Sequence, residues 1–470
     1  MQRGSLQAAR DRIFKRKIMI TTINPYTGAD LKSYNEDSID VISKKLETAD
    51  NTYQQWRQTS MDHRAEKLLN VAKVLRENDE KYARQMALEM GKPITQGKAE
   101  VEKCAWLCEY YAKNAADFLK KESFETDYHK SYVSYEPIGV VLAIMPWNYP
   151  FWQVMRFIVP ALMAGNVGAL KHASSVMGCA NMLENIFKEA GLPEGCLINL
   201  VTGSDKIEDV IKNKIVKAVT LTGSKPAGSA VASTAGSEIK KTVLELGGSN
   251  ALVVFEDVDV DSAVKTCVSA RYQNTGQSCI AGKRLLLHES IADEFLEKLT
   301  EKVKELKSGD PLDDDTYIGV MARIDLAEEL EENMNKSIKM GAKLHQGGKR
   351  DDAYFEPTIL TNVTREMSVF KEETFGPLLA VTTFKTDDEA VELVNLSPFG
   401  LGVSLFSEDT ERLEKLSSRF DDGAVFINEK VSSHPNLPFG GTGISGYGRE
   451  LSRFGIREFV NIKTVVVNKY

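Results

Sequence analysis

E-L-G-G-S, Glu245 to Ser249, and G-Q-S-C-I-A-G-K-R, Gly276 to Arg284, bracket the part of the chain whose reading decides the rest. Glu245 closes the strand-like run K-T-V-L-E-L and enters a Gly-Gly pair, which puts its carboxyl at the edge of a sheet, where loops carry chemistry in α/β folds. Cys279 follows a helix-like run ending near Tyr272 and sits among Gly, Gln and Ser, a setting that predicts a tight turn with a reachable sulfur. A thiol to attack a carbonyl and a carboxylate to move protons suffice for covalent catalysis. A free cysteine is more often a small buried hydrophobe, so the pair needs support from the rest of the chain.

Composition narrows the classes. A chain of 470 residues, 42% hydrophobic, is too long for one ordinary core and predicts two or three domains. A formal charge of -8 argues against a nucleic-acid surface and leaves small-molecule chemistry as the default. The six cysteines form no C-x-x-C; Cys104 and Cys108 stand one helical turn apart with no histidine nearby, so they read as core packing, no metal site is expected, and the compartment reads as reducing and cytoplasmic. Residues 1–18 carry six Lys/Arg and one acid without an apolar core, which excludes a secretory signal. They read as an extension upstream of a start at Met19, a mitochondrial-type presequence being the alternative. No apolar run is long enough for a membrane span.

Along the chain, M-I-T-T-I-N-P-Y-T-G predicts a short strand and turn, and residues from about 38 to 120 predict helices, with Val41, Ile42, Leu46 and Ala49 at helical spacing. This helical layer is expected to be scaffold without chemistry. The Tyr-rich segment 120–137 alternates as a hairpin would and calls for a pairing partner elsewhere. From Gly139 strand and helix alternate, predicting a doubly wound parallel sheet. No G-x-G-x-x-G follows its strands; T-G-S-K-P-A-G (222–228) does, with Gly223 and Gly228 flanking a helix start that Pro226 favours. Its backbone N–H groups and the Ser224 hydroxyl could take a pyrophosphate. A second α/β region follows from Asn250, so Glu245 and Cys279 are expected to face each other across an interdomain cleft.

Seven stretches, in order, carry a resemblance: M-P-W-N-Y-P (145–150), L-K-H-A-S (170–174), T-G-S-K-P-A-G, E-L-G-G, G-Q-S-C, E-E-T-F-G-P (372–377) and P-F-G-G-T-G-I-S-G-Y-G-R-E (438–450). From Met19 to Tyr470 the chain resembles the aldehyde dehydrogenase superfamily. The resemblance implies an α/β fold of two doubly wound domains plus a small β oligomerisation element. Residues 19–119 with 138–247 would bind the dinucleotide, 248–448 would form the catalytic domain, and 120–137 with 449–470 would join subunits into a homodimer or homotetramer.

It also implies roles. Cys279 attacks the aldehyde to give a thiohemiacetal, whose alkoxide is held by the Asn148 amide and the Cys279 N–H; one such donor is worth about 2.7–4 kcal/mol. Hydride loss leaves a thioester, which a water activated by Glu245 hydrolyses. Trp147, Lys171, Ser174, Gly223, Ser224, Gly228, Leu246, Glu373 and Phe375 are the implied cofactor contacts, Glu373 on the nicotinamide ribose and Phe375 near the ring. At Ser174, NAD-preferring members often carry a glutamate that would repel a 2′-phosphate, so NADP is favoured over NAD.

For the substrate, Arg156 and Ser433 match members that oxidise succinate semialdehyde, and Trp152 would supply an apolar wall for the methylenes. Arg156 then either holds the distal carboxylate or sits in a structural ion pair, because an arginine on an apolar helix needs an anion. The chain departs from many relatives at Thr442-Gly443-Ile444, where a lysine is common, which leaves a broader aliphatic or aromatic aldehyde open as substrate. A non-catalytic relative is the alternative of another class.

Overall fold

The computed structural model describes Met19–Lys469, so the basic leader lies outside the described residues. Two parallel-dominated sheets organise the chain. The first has six strands in the order Gly446–Tyr447, Lys241–Glu245, Val216–Thr222, Val140–Met145, Val167–His172, Leu197–Asn199. All neighbours run parallel except Gly446–Tyr447, which caps the edge antiparallel with Gly446 opposite Glu245. The near-continuous apolar runs predicted for these strands are buried on both faces, with Val140 to Ala143 wholly covered.

The second sheet has seven strands, ordered Lys343–Gln346, Thr358–Thr361, Leu378–Phe384, Gly282–His288, Asn250–Val254, Val403–Phe406, Val425–Ile427. Only its first strand is antiparallel. Both sheets are thus of the doubly wound kind. Gly446–Tyr447, a segment expected in the catalytic region, completes the first sheet instead, because the strand that carries Glu245 would otherwise end the sheet with an open edge.

Helices Ile39–Trp56, Met61–Glu77, Asp79–Met90 and Ile94–Phe118 form the expected layer beside the first sheet. Ser38 and Ser60 cap the first two by accepting N–H bonds from Val41 and His63. Ile42, Leu46 and Ala49 are buried, but Val41 faces outward, since the apolar stripe falls one residue later than the spacing suggests. Trp56 is buried and donates its indole N–H to Leu162 O at 3.0 Å, fixing this layer to the end of helix Trp152–Met163.

The alternating segment pairs as required. Lys130–Pro137 lies antiparallel to Glu122–Ser123 on one side and to Val460–Val467 on the other, with Val460 opposite Pro137 and Val467 opposite Lys130. The far edge of Val460–Val467 carries no further strand among the described residues, and Ile462 and Val466 on it are exposed. Cys104 and Cys108 are fully buried in the helical layer, as packing residues are.

Replacing Trp56 by Ala is expected to cost about 3–5 kcal/mol, since it empties a buried indole's volume and removes its bond to the Leu162 carbonyl. A thermal melt should show the drop; an unchanged melting temperature would mean the layer is not fixed at this point.

Candidate active site

The turn that carries Cys279 is built by left-handed backbone. Helix Val260–Tyr272 ends, and Asn274, Thr275 and Gly276 take φ of 58°, 54° and 70° before the chain reaches Gln277. Such a run costs energy at the two non-glycine residues, and hydrogen bonds hold it. The Asn274 side chain donates to Asn148 O at 2.9 Å and to Gln277 O at 3.0 Å; Thr275 Oγ1 accepts from Gly319 N at 3.1 Å. Gly276 lies against the carbonyl of Gly376, and a side chain there would collide with that backbone. The result is a half-buried cysteine, more enclosed than the open turn predicted from its neighbours. Burial pushes its thiol up to about 11, against the opposing pull of Lys283 and Arg156.

Asn148 meets this turn from the first sheet. It follows strand Val140–Met145, is buried, donates one amide hydrogen to Gln277 O at 3.1 Å and accepts from Gln153 Nε2 at 3.0 Å. The Gln153 bond fixes which way the amide faces, and the second amide hydrogen is left to donate. His172 steadies the same turn. It accepts from Ala173 N on Nδ1 and so carries its proton on Nε2, which donates to Pro150 O at 2.9 Å; burial pushes its pKa down to about 4, keeping the ring neutral.

The two framing stretches touch at Gly248, where an added Cβ would lie 2.6 Å from Cys279 O. Behind them lies a residue that sequence reasoning missed. Lys283 has no exposed side-chain surface and donates to Ser278 O at 2.7 Å and Cys279 O at 2.8 Å, while pairing with Glu373 at 3.0 Å. Glu373 in turn accepts from Gly248 N at 3.0 Å. The available signal was a lysine at the head of A-G-K-R-L-L-L, a run otherwise fit for a strand buried on both faces. Phe375 stands edge-on to Trp147, ring centroids 5.6 Å apart.

Glu245 is buried and stands apart from the cavity in which Cys279 is found. Neither carboxyl oxygen has a hydrogen-bond partner among the described residues, and its Oε1 lies against Gly440, where a Cβ would come within 2.7 Å. Desolvation, then the neighbouring Glu450 carboxyl, raises its pKa well above the usual range, with Arg156 and Arg449 opposing. Glu450 is the second residue missed; it ends the quoted G-Y-G-R-E run. It forms an ion pair with Arg156 in which both side chains are buried. Arg156 thus has a protein carboxylate as its ion-pair partner, while its side chain also lines the cavity that holds Cys279.

Cys279, Trp152, Arg156 and Ser433 share the walls of one cavity of about 260 Å³, with Lys103 and Lys430 also on it. Trp152 Nε1 donates to Ser433 Oγ at 2.9 Å. Gln96, Ala99, Glu100 and Lys103 reach the cavity from one face of helix Ile94–Phe118, so the layer expected to be scaffold alone contributes side chains to the site.

The residues expected to bind the dinucleotide lie along the ends of the first sheet. Lys171 closes Val167–His172, half-buried, its pKa lowered by burial; Ser174 opens the short turn after it. Ser224 precedes helix Lys225–Ser237 in extended backbone and makes no capping bond of its own, so its hydroxyl is free for a ligand. The N–H of Gly223 is already committed to Glu245 O at 3.0 Å and that of Gly228 to Ser224 O at 2.9 Å. These glycines therefore serve by lacking side chains: at Gly228 a Cβ would meet Leu246 at 2.7 Å. A free hydroxyl at a helix start, an uncrowded approach and a lysine without an ion pair among the described residues fit a dinucleotide. No cluster of metal-ligating side chains occurs among the described residues, and no helix is long and apolar enough to cross a membrane.

A thiol on a strained turn, an amide donor beside it and a doubly wound sheet at its back define an enzyme of the cysteine-dependent, dinucleotide-binding α/β class. Residues 14–465 match the profile of the aldehyde dehydrogenase family, and the chain belongs to that family. It is 44% identical over 447 residues to a succinate semialdehyde dehydrogenase of Escherichia coli K12 named for NAD(P)+, covering 94% of this chain and 97% of that one. A probable succinate-semialdehyde dehydrogenase of Synechocystis, named for NADP+, is 45% identical over 449 residues, 95% of this chain and 99% of its own. Among solved structures, the Streptococcus pyogenes succinic semialdehyde dehydrogenase in complex with NADP+ superposes with a TM-score of 0.93 at 35% identity, over 96% of this chain and all of that one.

Two measurements check the turn. With the thiol at about 11, alkylation of Cys279 by iodoacetamide should quicken about tenfold per pH unit from 7 to 9 without levelling near 8.5, because only the thiolate reacts. A plateau by pH 8.5 would contradict the burial assigned here. Gly276→Ala should lower kcat by about a hundredfold through displacement of the sulfur, and wild-type turnover in that variant would show that the turn is not constrained by Gly376.

Proposed function

We propose that this chain oxidises a short aldehyde bearing a distal carboxylate, with succinate semialdehyde as the substrate and NADP as the favoured acceptor, NAD being accepted. The cavity carries the reading: Cys279 shares a chamber of about 260 Å³ with Lys103, Arg156, Lys430 and the Ser433 hydroxyl, a setting suited to a short anionic aldehyde. The names of the Escherichia coli and Synechocystis relatives support the same substrate and cofactors.

Cys279 Sγ attacks the aldehyde carbon, and the free Asn148 amide hydrogen donates to the oxygen that becomes an alkoxide, its partner hydrogen being held by Gln277. When bound, the nicotinamide supplies the hydride acceptor. Glu373, held by Lys283 and Gly248, keeps its carboxylate at the site where a ribose would lie, with Phe375 and Trp147 packed beside it. Glu245 accepts the proton of the water that hydrolyses the thioester. In the conformation described, burial and the neighbouring Glu450 carboxyl raise its pKa and so favour its protonated form. Its general-base activity therefore rises with pH. Ser174 offers a 2′-phosphate a donor where a carboxylate would repel it, next to the Lys171 ammonium.

The wider assignment follows. Residues 19–119 with 138–247 hold the dinucleotide, 248–448 carry the nucleophile, and the open edge of Val460–Val467 joins copies of the chain into a homodimer or homotetramer in the cytoplasm. Five fully buried free cysteines accord with a reducing compartment.

A panel of aldehydes against NADP and NAD, followed at the reduced nicotinamide's absorbance, should rank succinate semialdehyde first. Cys279→Ala should abolish reduction, and Glu245→Gln should slow turnover about 10²–10⁴-fold. Turnover surviving in Cys279→Ala would end the proposal.

A further inference from the structure

Helix Trp152–Met163 is buried along its whole length, so the N–H groups of its first turn cannot be left to water. The residue before it is Phe151, which brings no capping side chain. The acceptor comes from another element. Glu100, on helix Ile94–Phe118, takes the N–H groups of Phe151 and Trp152 on one carboxylate oxygen, each at 2.9 Å. A carboxylate at a helix start also suits the sign of the helix dipole. Its other oxygen pairs with the buried Lys92 ammonium, which lies over the Tyr149 ring, 3.9 Å from its centroid. Glu100 and Lys92 thus hold Tyr149, Phe151 and Trp152, the residues that follow Asn148.

Gln153 passes this hold on to Asn148. It is the second residue of the same helix, and its amide donates to Asn148 Oδ1 at 3.0 Å, the bond that decides which way Asn148 faces. A shift of the helix start would carry Gln153 with it and turn the Asn148 amide. One turn before Glu100, Gln96 ties the same support to the Cys279 turn: its Oε1 accepts from Asn274 N at 2.7 Å, and its Nε2 donates to Tyr317 O at 2.9 Å. Between the two anchors Gly97 seats the helix on Asp79–Met90, where an added Cβ would lie 3.0 Å from Ala83 Cα. One closely packed support therefore reaches both turns, which also meet directly through Asn274 Nδ2 and Asn148 O.

We infer that Glu100 is a positioning residue for the attack on the aldehyde: through the helix start and Gln153 it aims the free Asn148 amide hydrogen at the oxygen of the carbonyl that Cys279 attacks. This rests on the roles proposed above for Asn148 and Cys279. Lys92 keeps the Glu100 carboxylate charged and in place, and Gln96 keeps the helix registered on the Cys279 turn.

The test removes the acceptor without leaving a buried charge behind. Lys92→Met/Glu100→Gln and Lys92→Met/Glu100→Leu both clear the ion pair, and only the first keeps an oxygen for Phe151 and Trp152. Each is assayed with NADP and the aldehyde of the panel above that the wild type oxidises fastest. In the second double variant kcat and kcat/KM should fall together, about a hundredfold below the first, the cost of a misplacement of about 1 Å. The same pair is then made in Asn148→Ala, itself about 10²–10³-fold slower than the wild type. There the difference should shrink to about threefold or less, since a residue that acts by aiming Asn148 has nothing left to aim. Alkylation of Cys279 by iodoacetamide, which needs no oxyanion donor, should run at one rate in both double variants. Should the leucine variant fail to fold by its melting temperature, Glu100→Asp, which draws the acceptor back by one methylene and keeps both charges, carries the same comparison against the wild type. Equal kcat in the two double variants, or a difference that persists in full without Asn148, overturns the inference and leaves the role of Asn148 standing. An Asn148→Ala enzyme with wild-type kcat overturns that role and the inference with it.

Discussion

The bonds of one buried ammonium hold the active-site turn together. Lys283 is sealed from water, so all three of its N–H groups must find oxygen inside the protein. Ser278 O, Cys279 O and Glu373 supply it, and in supplying it they fix the backbone of Cys279, the E-E-T-F-G-P loop and, through Gly248, the E-L-G-G stretch to a single point. A buried charge without its partners costs several kcal/mol, so none of the three segments can drift without breaking a bond that water cannot replace. Arg271 repeats the device a few residues earlier in the chain: wholly buried, it donates to the carbonyls of Thr374 and Gly376.

On the other side of the thiol a second group of buried charges is balanced differently. Arg156 faces two carboxyls, Glu450 in contact and Glu245 nearby, and its charge, with that of Arg449 acting on Glu245, does not offset the desolvation of the pair. Both carboxyls are accordingly raised, as a pair sharing one site must be. Lys283, whose pKa burial lowers, is held in place by its bonds, whereas Glu245, whose pKa burial raises, has no bond among the described residues to hold it where it stands. The contrast separates a group held still by its bonds from one left free to move.

Much of the fold was legible because its cause is local. Strand and helix alternate in the sequence with the periods their burial requires, and Val140–Met145, Val216–Thr222 and Gly282–His288 fall where the apolar runs predict. The motif residues were legible too, since their short spacing survives as a turn: Asn148 and the Cys279 loop do meet, through Gln277 and Asn274. What could not be read is pairing over distance. Lys103 and Ser433 lie 330 positions apart and touch; Arg156 and Glu450 stand almost as far apart in the chain. No periodicity encodes such partners, so the helical layer looked inert and the need of Arg156 for an anion was visible while the anion itself was not. Val41 was misplaced for the opposite reason, because spacing defines a stripe only to within one residue.

The antiparallel cap on the first sheet has a consequence for biogenesis. The strand ending in Glu245 is flanked by Gly446–Tyr447, and Asn166, at the start of another strand of that sheet, donates to Phe459 O at 2.7 Å. The amino-terminal half therefore cannot be finished as the ribosome delivers it. Its edge stays open until residues 446–459 have emerged, and closing it comes late in folding, since so long a loop must be ordered first.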